Sequence, residues 1–561
     1  MSVSGGSSSA ARDRVDMLEL TTDVLVIGGG PAATWAALIA RAEGASVLLV
    51  DKGFCGSSGV AAAATVGHWW VPPGRREQAI ADRDAAGGHL SERSWMERLL
   101  EETWRRWPEV SKTHGYPADG LLRQLSPGQR LCQGPIYLRE MRRRVSRAGA
   151  RILDHAPALE LLCDADGAVC GAAGVLRQKG RRWRAGAGAV ILATGGCAWK
   201  SGSLGSNVDT GDGYLMAAEV GATLSGMEFS NFYGIVPVGS SMDKNGFYLV
   251  ATFTDADGNE VAKDWNAGGA VGRGVAGGRS WLMQAGFDGP LYAKLDKAPP
   301  EAWAGMRAQM PNFFVTFDRL GIDPFTERFE IEFILEGTVR GTGGLRVVDD
   351  TCWTGVPGLW AAGDAASREA IVGGASGAGA PNAAWTISSG TWSGRAAAAH
   401  ALARGRSGEL ASVLPAGRVG LRPSGSPLPA DSWRELSRAV QEEMLPPEKN
   451  GLRSAAKLAT SLQRLDGLWD AAGAGLTGSV GREAVWARET AAMIAVGRWA
   501  YLAAAARTES RAMHVRVDHP EQDPEQRRRI VIDGVDRPRL SFVEIVDPVV
   551  AWGDELAREA A

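Results

Sequence analysis

Gly28, Gly30 and Ala33 stand at the spacing GxGxxA, between a short apolar run from Val24 to Ile27 and an alanine-rich run from Ala32 to Ala42. A glycine turn at such a junction lets backbone approach a pyrophosphate, and the first N–H groups of the following helix meet its charge. Asp51 closes a second apolar run, Ser46 to Val50, 23 residues after Gly28. A carboxylate there accepts hydrogen bonds from the ribose hydroxyls of an adenosine. Strand, glycine turn, helix, strand and acid together predict dinucleotide binding, against the alternative of a tight turn that carries no ligand. Two later runs share the design: Val190 to Gly196, with Thr194 and Gly195 in its turn, and Gly358 to Asp364, with an acid after Gly363.

A second group of candidates follows the first motif. Tryptophan supplies 20 of 561 residues, and Trp69 and Trp70 stand side by side next to His68. Paired indoles can stack on a planar or cationic substrate, and a histidine titrates near neutral pH. All three are therefore candidate substrate contacts, with burial in an aromatic core as the alternative.

Taken in chain order, the Gly28 turn, Ala193-Thr194-Gly195-Gly196, Thr210-Gly211-Asp212-Gly213, Met227-Glu228-Phe229, Gly343-Gly344, Gly363-Asp364 and Glu509-Ser510-Arg511 with His514, Arg516 and Asp518 form a pattern. It resembles the FAD-dependent fumarate reductase and succinate dehydrogenase flavoprotein family, which also contains L-aspartate oxidases and the flavin subunit of adenylylsulfate reductases. The resemblance covers nearly the whole chain. It implies an α/β fold: a Rossmann-like FAD-binding domain, an inserted α+β capping domain and a C-terminal helical domain. It also implies that Lys52, Ser58, Thr194, Gly195 and Asp212 join Gly28, Gly30, Ala33 and Asp51 around FAD, with Asp364 on the ribityl chain. A helix start over Ser388 to Arg395 would face the isoalloxazine carbonyls, and Ser57 to Gly67 would lie beside the ring. Some relatives tether FAD through a histidine there; this chain has Gly59, so the cofactor is expected to be non-covalent.

At the substrate end the pattern departs from the family. Dicarboxylate-handling relatives grip the substrate with two histidines and two arginines, since arginine presents a planar fork of donors and stays charged. Here Tyr233 and Val339 stand where the histidines are expected, and the arginine of the last flavin motif aligns near Pro381. Each charge-assisted hydrogen bond is worth about 1.5 to 3 kcal/mol, so ordinary fumarate or succinate chemistry is disfavoured. Arg340 adjoins Val339, and Arg273 and Arg279 lie near the place of the relatives' proton-transferring arginine; with Tyr233 these are the candidate catalytic residues. The charged stretch Glu509 to Asp518 reads as a structural pin between domains.

The resemblance implies an FAD-dependent oxidoreductase moving a hydride between flavin N5 and a C–C or C–N bond of a small polar substrate. Oxygen or a redox protein would be the electron acceptor. Two other readings stay open. Gly363-Asp364-Ala365-Ala366 also resembles the ribityl turn of aromatic hydroxylases, which would make a flavin monooxygenase, and some relatives are electron-transfer subunits of larger complexes.

Composition frames these motifs. With Lys+Arg 61 against Asp+Glu 64, a formal charge of −3 and 45% hydrophobic residues, the chain reads as an ordinary globular protein without a nucleic-acid groove. Six cysteines without a CxxC pair exclude a disulfide scaffold or a recognisable zinc or iron-sulfur cradle, and no metal site is expected. The polar start lacks an apolar signal core, and the most apolar C-terminal stretch is interrupted by Arg498, so a cytoplasmic protein with no spanning helix is expected. The expected divisions are a flexible tail over 1–20, FAD-binding segments over 21–200 and 346–405, and a capping domain over 201–345 between them. A linker over 406–429 and a helical domain with a β-rich tail over 430–561 follow.

Overall fold

The computed structural model describes residues 17–111, 129–243, 246–261, 282–375, 380–404, 413–478, 481–547 and 549. Its largest sheet has eight strands. From one edge the order is Leu414–Pro415, Ala158–Cys163, Val169–Leu176, Arg181–Leu192, Met17–Ile27, Val47–Val50 and Arg151–Leu153, with Leu359–Ala361 also paired to Arg181–Leu192. The first strand begins at Met17, ahead of the apolar run from Val24 and inside the expected tail over 1–20, because Met17 to Thr22 find ladder partners in Arg182 to Ala187.

Register explains how three distant turns meet. Ile27 lies beside Val50 and Leu192, and Leu192 beside Ala361, all in parallel pairing. The chain therefore leaves four strands along one edge, at Gly28, Asp51, Ala193 and Ala362, which is where open α/β sheets bind ligands. Val24 to Ile27 and Val47 to Val50 are buried throughout, as parallel strands covered on both faces require.

The helix Pro31–Ala42 packs on the long helix Ala380–Arg404. Small residues permit this approach: a Cβ on Gly390 or Gly394 would meet the carbonyl oxygens of Ala32 and Ala36 at 2.5 and 2.6 Å. Ser388 therefore lies well inside a helix and not at its start; Pro381, near the beginning, occupies a position where a missing N–H is tolerated.

The cap is a four-stranded sheet in the order Phe232–Pro237, Phe329–Gly337, Leu291–Lys294 and Thr252–Thr254. Its separate core is built on Phe247, Phe313, Phe314, Phe317 and Phe329. Helices Ser432–Met444, Ala455–Gly475 and Arg482–Ala506 form the C-terminal bundle, and the tail strands Arg529–Asp533 and Arg539–Val543 join Leu224–Ser225 and Gly344–Leu345 in a third sheet. Arg507 binds Glu228 at 2.7 Å and Glu509 at 2.9 Å, and Arg453 binds the His514 ring at 2.8 Å. Buried charge is tolerated here because it is paired, so the stretch from Glu509 pins the bundle to the Met227-Glu228-Phe229 turn. Among the described residues no helix is long and apolar enough to cross a membrane.

Candidate functional site

A cavity of about 720 Å³ opens along the sheet edge where the turns converge. Of the residues expected at the cofactor, Gly28, Gly30, Asp51, Lys52, Ser58, Thr194, Gly195, Asp212, Gly363 and Asp364 line it. Ala33 and Ser388 do not. Ala33 is fully buried in the small-residue core beneath the turn, and the Ser388 hydroxyl points to the Leu99 carbonyl at 3.5 Å.

The turn itself is shaped to admit a ligand. Gly28 has φ +129°, and a Cβ there would overlap the Ala193 carbonyl, whereas Gly30 has nothing within 4 Å of the equivalent position. The helix after it starts with Pro31 and carries no acidic residue in its first turn, so its N-terminal partial charge is left for an anion. Asp51 accepts from the Gly53 N–H at 3.1 Å and the Ser58 hydroxyl at 2.5 Å. Burial raises its pKa, and these two donors oppose the rise. Thr194 lines the cavity, but its Oγ1 is buried toward Gly213, where an added Cβ would meet it at 2.1 Å. An open glycine cradle, a helix N-terminus free of acidic residues and an acid beside it fit a dinucleotide, whose pyrophosphate and ribose would complete them.

The Asp51 side is bordered by charge. The Lys52 ammonium reaches Asp212 at 2.8 Å, Thr210 at 3.0 Å and Glu489 at 3.3 Å. Burial alone would lower its pKa, but Asp212 and Glu489 outweigh burial and raise it. Across the cavity, Asp364 pairs with Arg368, a residue 1% exposed, whose second nitrogen donates to the carbonyls of Thr338, at 2.6 Å, and Gly341. Burial raises the Asp364 pKa and the Arg368 charge opposes it.

The chain matches the FAD binding domain model over residues 23–381 and the model described as Fumarate reductase flavoprotein C-term over residues 440–545. It belongs to the FAD binding domain family. Curated relatives include an L-aspartate oxidase of Streptomyces coelicolor, 28% identical, with 94% of this chain and 94% of the relative covered. A further relative is a fumarate reductase (CoM/CoB) component of Methanothermobacter marburgensis, 24% identical over 92% of this chain and 98% of the relative. Among solved structures, an E. coli quinol fumarate reductase FrdA variant aligns with TM-score 0.78 and 19% identity, covering 94% of this chain and 97% of that one. The adenylylsulfate reductase of Archaeoglobus fulgidus aligns with TM-score 0.75 and 18% identity, covering 95% and 97%. These alignments confirm the expected fold, and the family makes the chain an FAD-dependent oxidoreductase.

The candidate substrate residues are redistributed. His68, Trp69 and Trp70 do not line the flavoprotein's cavity. His68 is fully buried between Trp107, at 4.8 Å, and Tyr137, at 5.8 Å. Burial pushes its pKa down to about 4, so it is neutral at pH 7. Trp69 sits in the main core, and Trp70 stacks on Trp104 at 3.9 Å with the Arg130 guanidinium over its ring at 4.1 Å. The β-strand Thr65–Trp69 is covered on both sides, which turns the aromatic run inward.

Tyr233 also serves packing. It is 2% exposed, and its hydroxyl donates toward the carbonyls of Leu445 at 3.0 Å and Met444 at 3.3 Å. Burial raises its pKa well above the ordinary value. The structure thus places the Tyr233 hydroxyl as a tie between cap and bundle, with its proton directed at backbone carbonyls. Arg340 binds Glu336 at 3.2 Å and lies over Phe232 at 4.5 Å. Arg273 and Arg279 lie outside the described residues.

Arg368, Trp486 and Glu489 are among the residues at the site that escaped sequence reasoning. Arg368 stands four residues after Asp364, an ion-pair spacing that could have flagged it. Trp486 and Glu489 come from the C-terminal bundle, more than 430 residues beyond Lys52, and carry no local motif.

Proposed function

We propose that this flavoprotein is a dehydrogenase, oxidase or reductase acting across a C–C or C–N bond of a small polar substrate that is not an ordinary dicarboxylate. FAD, when bound, supplies hydride chemistry at its N5 position. The chain holds it: the Gly28 turn and the N-terminus of helix Pro31–Ala42 take the pyrophosphate, Asp51 the ribose, and Asp364 the ribityl hydroxyls. The cofactor is held non-covalently, since Gly59 offers no nucleophile.

The observation that carries the substrate reading is the turn Thr338–Gly341. Val339 is 1% exposed there, Arg340 is engaged by Glu336, and Arg368 is spent on Asp364 and two carbonyls. With Tyr233 also committed to backbone, no group free to grip two carboxylates is found on this face among the described residues. Loss of two such bonds amounts to about 3 to 6 kcal/mol at about 1.5 to 3 each. Arg273 or Arg279 would orient the substrate and move its proton, with Arg340 as an auxiliary cation. The L-aspartate oxidases among the relatives are named for a dicarboxylate substrate; the departures at Tyr233, Val339 and Pro381 from the pattern that the resemblance implies support a different substrate here. Oxygen or a redox protein serves as acceptor, and six free cysteines suit a cytoplasmic setting.

The test is anaerobic flavin bleaching with a panel of amino acids, dicarboxylates and aromatic acids. A non-dicarboxylate member should reduce the flavin while succinate and L-aspartate do not. Rapid bleaching by either of those two overturns the reading.

A further inference from the structure

We infer that the C-terminal bundle forms part of the FAD site itself, with Trp486 as a wall for the adenine and Glu489 as the latch that keeps that wall in place. The inference rests on FAD binding and is independent of the substrate reading. Both residues line the cavity, yet both lie beyond residue 381, where the match to the FAD binding domain ends.

Their position identifies the end they serve. Asp51, the ribose acceptor, is followed directly by Lys52, and the Lys52 ammonium binds Glu489 at 3.3 Å. Pro157 bounds the cavity on this same side, since the Ala156 N–H bonds the Asp51 carbonyl at 2.8 Å. Gly363 and Asp364 leave the sheet from a strand on the opposite side of Met17–Ile27. A dinucleotide with its pyrophosphate at Gly28 and its ribose at Asp51 therefore extends its adenine toward Trp486.

The latch is a bridged carboxylate. Glu489 takes Lys52 on one oxygen and Lys200, at 2.9 Å, on the other, so one side chain of the bundle joins two loops of the flavin domain. Trp486 and Glu489 are three residues apart on one helix and share a face. The Trp486 indole is backed by Trp433, with centroids 4.6 Å apart and planes 28° apart. A half-buried indole held from behind and bordering a nucleotide cavity is suited to a purine, whose stacking is tolerant of substituents. Docking of the bundle and occupation of the adenosine subsite then favour each other.

The test compares ligands that contain adenosine with one that does not. The full chain is stripped of flavin, and equilibrium binding of FAD, ADP and FMN is measured for wild type, Trp486→Ala and Trp486→Phe. In Trp486→Ala the affinities for FAD and ADP should both fall about 5- to 150-fold, the range expected for one base–aromatic contact, while FMN affinity stays unchanged. Trp486→Phe should restore most of the loss. If FMN is too weak to measure in wild type, the matched fall of FAD and ADP with rescue by Phe carries the result. Unchanged FAD and ADP affinity in Trp486→Ala overturns the inference, as does an equal loss for FMN, which would mark a general packing defect. Should Trp486→Ala not fold, Trp486→Leu against Trp486→Phe reads the same contrast.

Discussion

Arg368 joins the cavity-lining acid Asp364 to the turn Thr338–Gly341, and removing it has a cost whose pH dependence can be worked out. Its guanidinium, 1% exposed, neutralises Asp364 and holds the carbonyls of Thr338 and Gly341. In Arg368→Met the Asp364 carboxyl is left buried without its cation, and breaking a buried pair costs about 3 to 5 kcal/mol. The carboxyl can limit that cost by taking up a proton. Starting from an ordinary value of 3.8, staying protonated at pH 7 costs about 4.4 kcal/mol at about 1.36 kcal/mol per pH unit, and at pH 5 only about 1.6. The sign follows from linkage. Burial already raises the folded pKa in the wild type, and loss of Arg368 raises it further, so above the wild-type folded pKa the variant binds the extra proton only when folded. The stability difference between the two proteins therefore widens as pH rises, by up to about 1.4 kcal/mol per unit. Urea midpoints of the flavin-saturated proteins at pH 5, 6, 7 and 8 measure it, and Asp364→Asn in the Arg368→Met background should remove the widening. A penalty constant across pH, or one untouched by Asp364→Asn, would refute the pairing as the origin.

Gly28→Ala should yield protein that takes up no FAD, since its Cβ would overlap the Ala193 carbonyl at φ +129°; yellow protein with an intact flavin spectrum would contradict this. Acid precipitation of the wild type should leave the colour in the supernatant, because Gly59 cannot bond to the cofactor, and a yellow pellet would show a covalent link elsewhere. Glu369 is pushed up to about 7 by burial and by the neighbouring Glu228 charge. A raised acid loses stability as pH climbs from about 4.5 to about 7, so Glu369→Gln should become more stable than wild type by up to about 3 kcal/mol at pH 8 and be close to it at pH 4.5, as read in denaturation midpoints. Tyr233→Phe should lose about 1 kcal/mol of stability and keep turnover within about twofold of wild type, whereas loss of turnover with unchanged stability would return Tyr233 to the catalytic machinery.

Residues whose task is set by neighbours in the chain are legible without the fold. Gly28, Gly30 and Asp51 announce themselves because a turn, a helix start and a strand end are short-range events, and the resemblance extends that reading to Thr194, Asp212 and Asp364. What is not legible depends on which surfaces face one another. His68, Trp69 and Trp70 have residue types suited to a site, but a strand covered on both sides sends them into Trp107, Tyr137, Trp104 and Arg130, and no local signal separates those fates. Ser388 lies in a stretch that the resemblance makes a helix start, whereas Gly390 and Gly394 serve as the close-packing surface for helix Pro31–Ala42. Tyr233 aligns with a histidine, and the backbone carbonyls that claim its hydroxyl come from residues more than 200 positions away. The same reasoning applies to the cofactor cavity: its strand-end turns can be read from sequence, but the wall contributed by Trp486 and Glu489 exists only once a third domain has docked. A flavin site here is therefore a product of tertiary assembly as much as of its glycine motif, and substitutions in the C-terminal bundle should be felt at the cofactor.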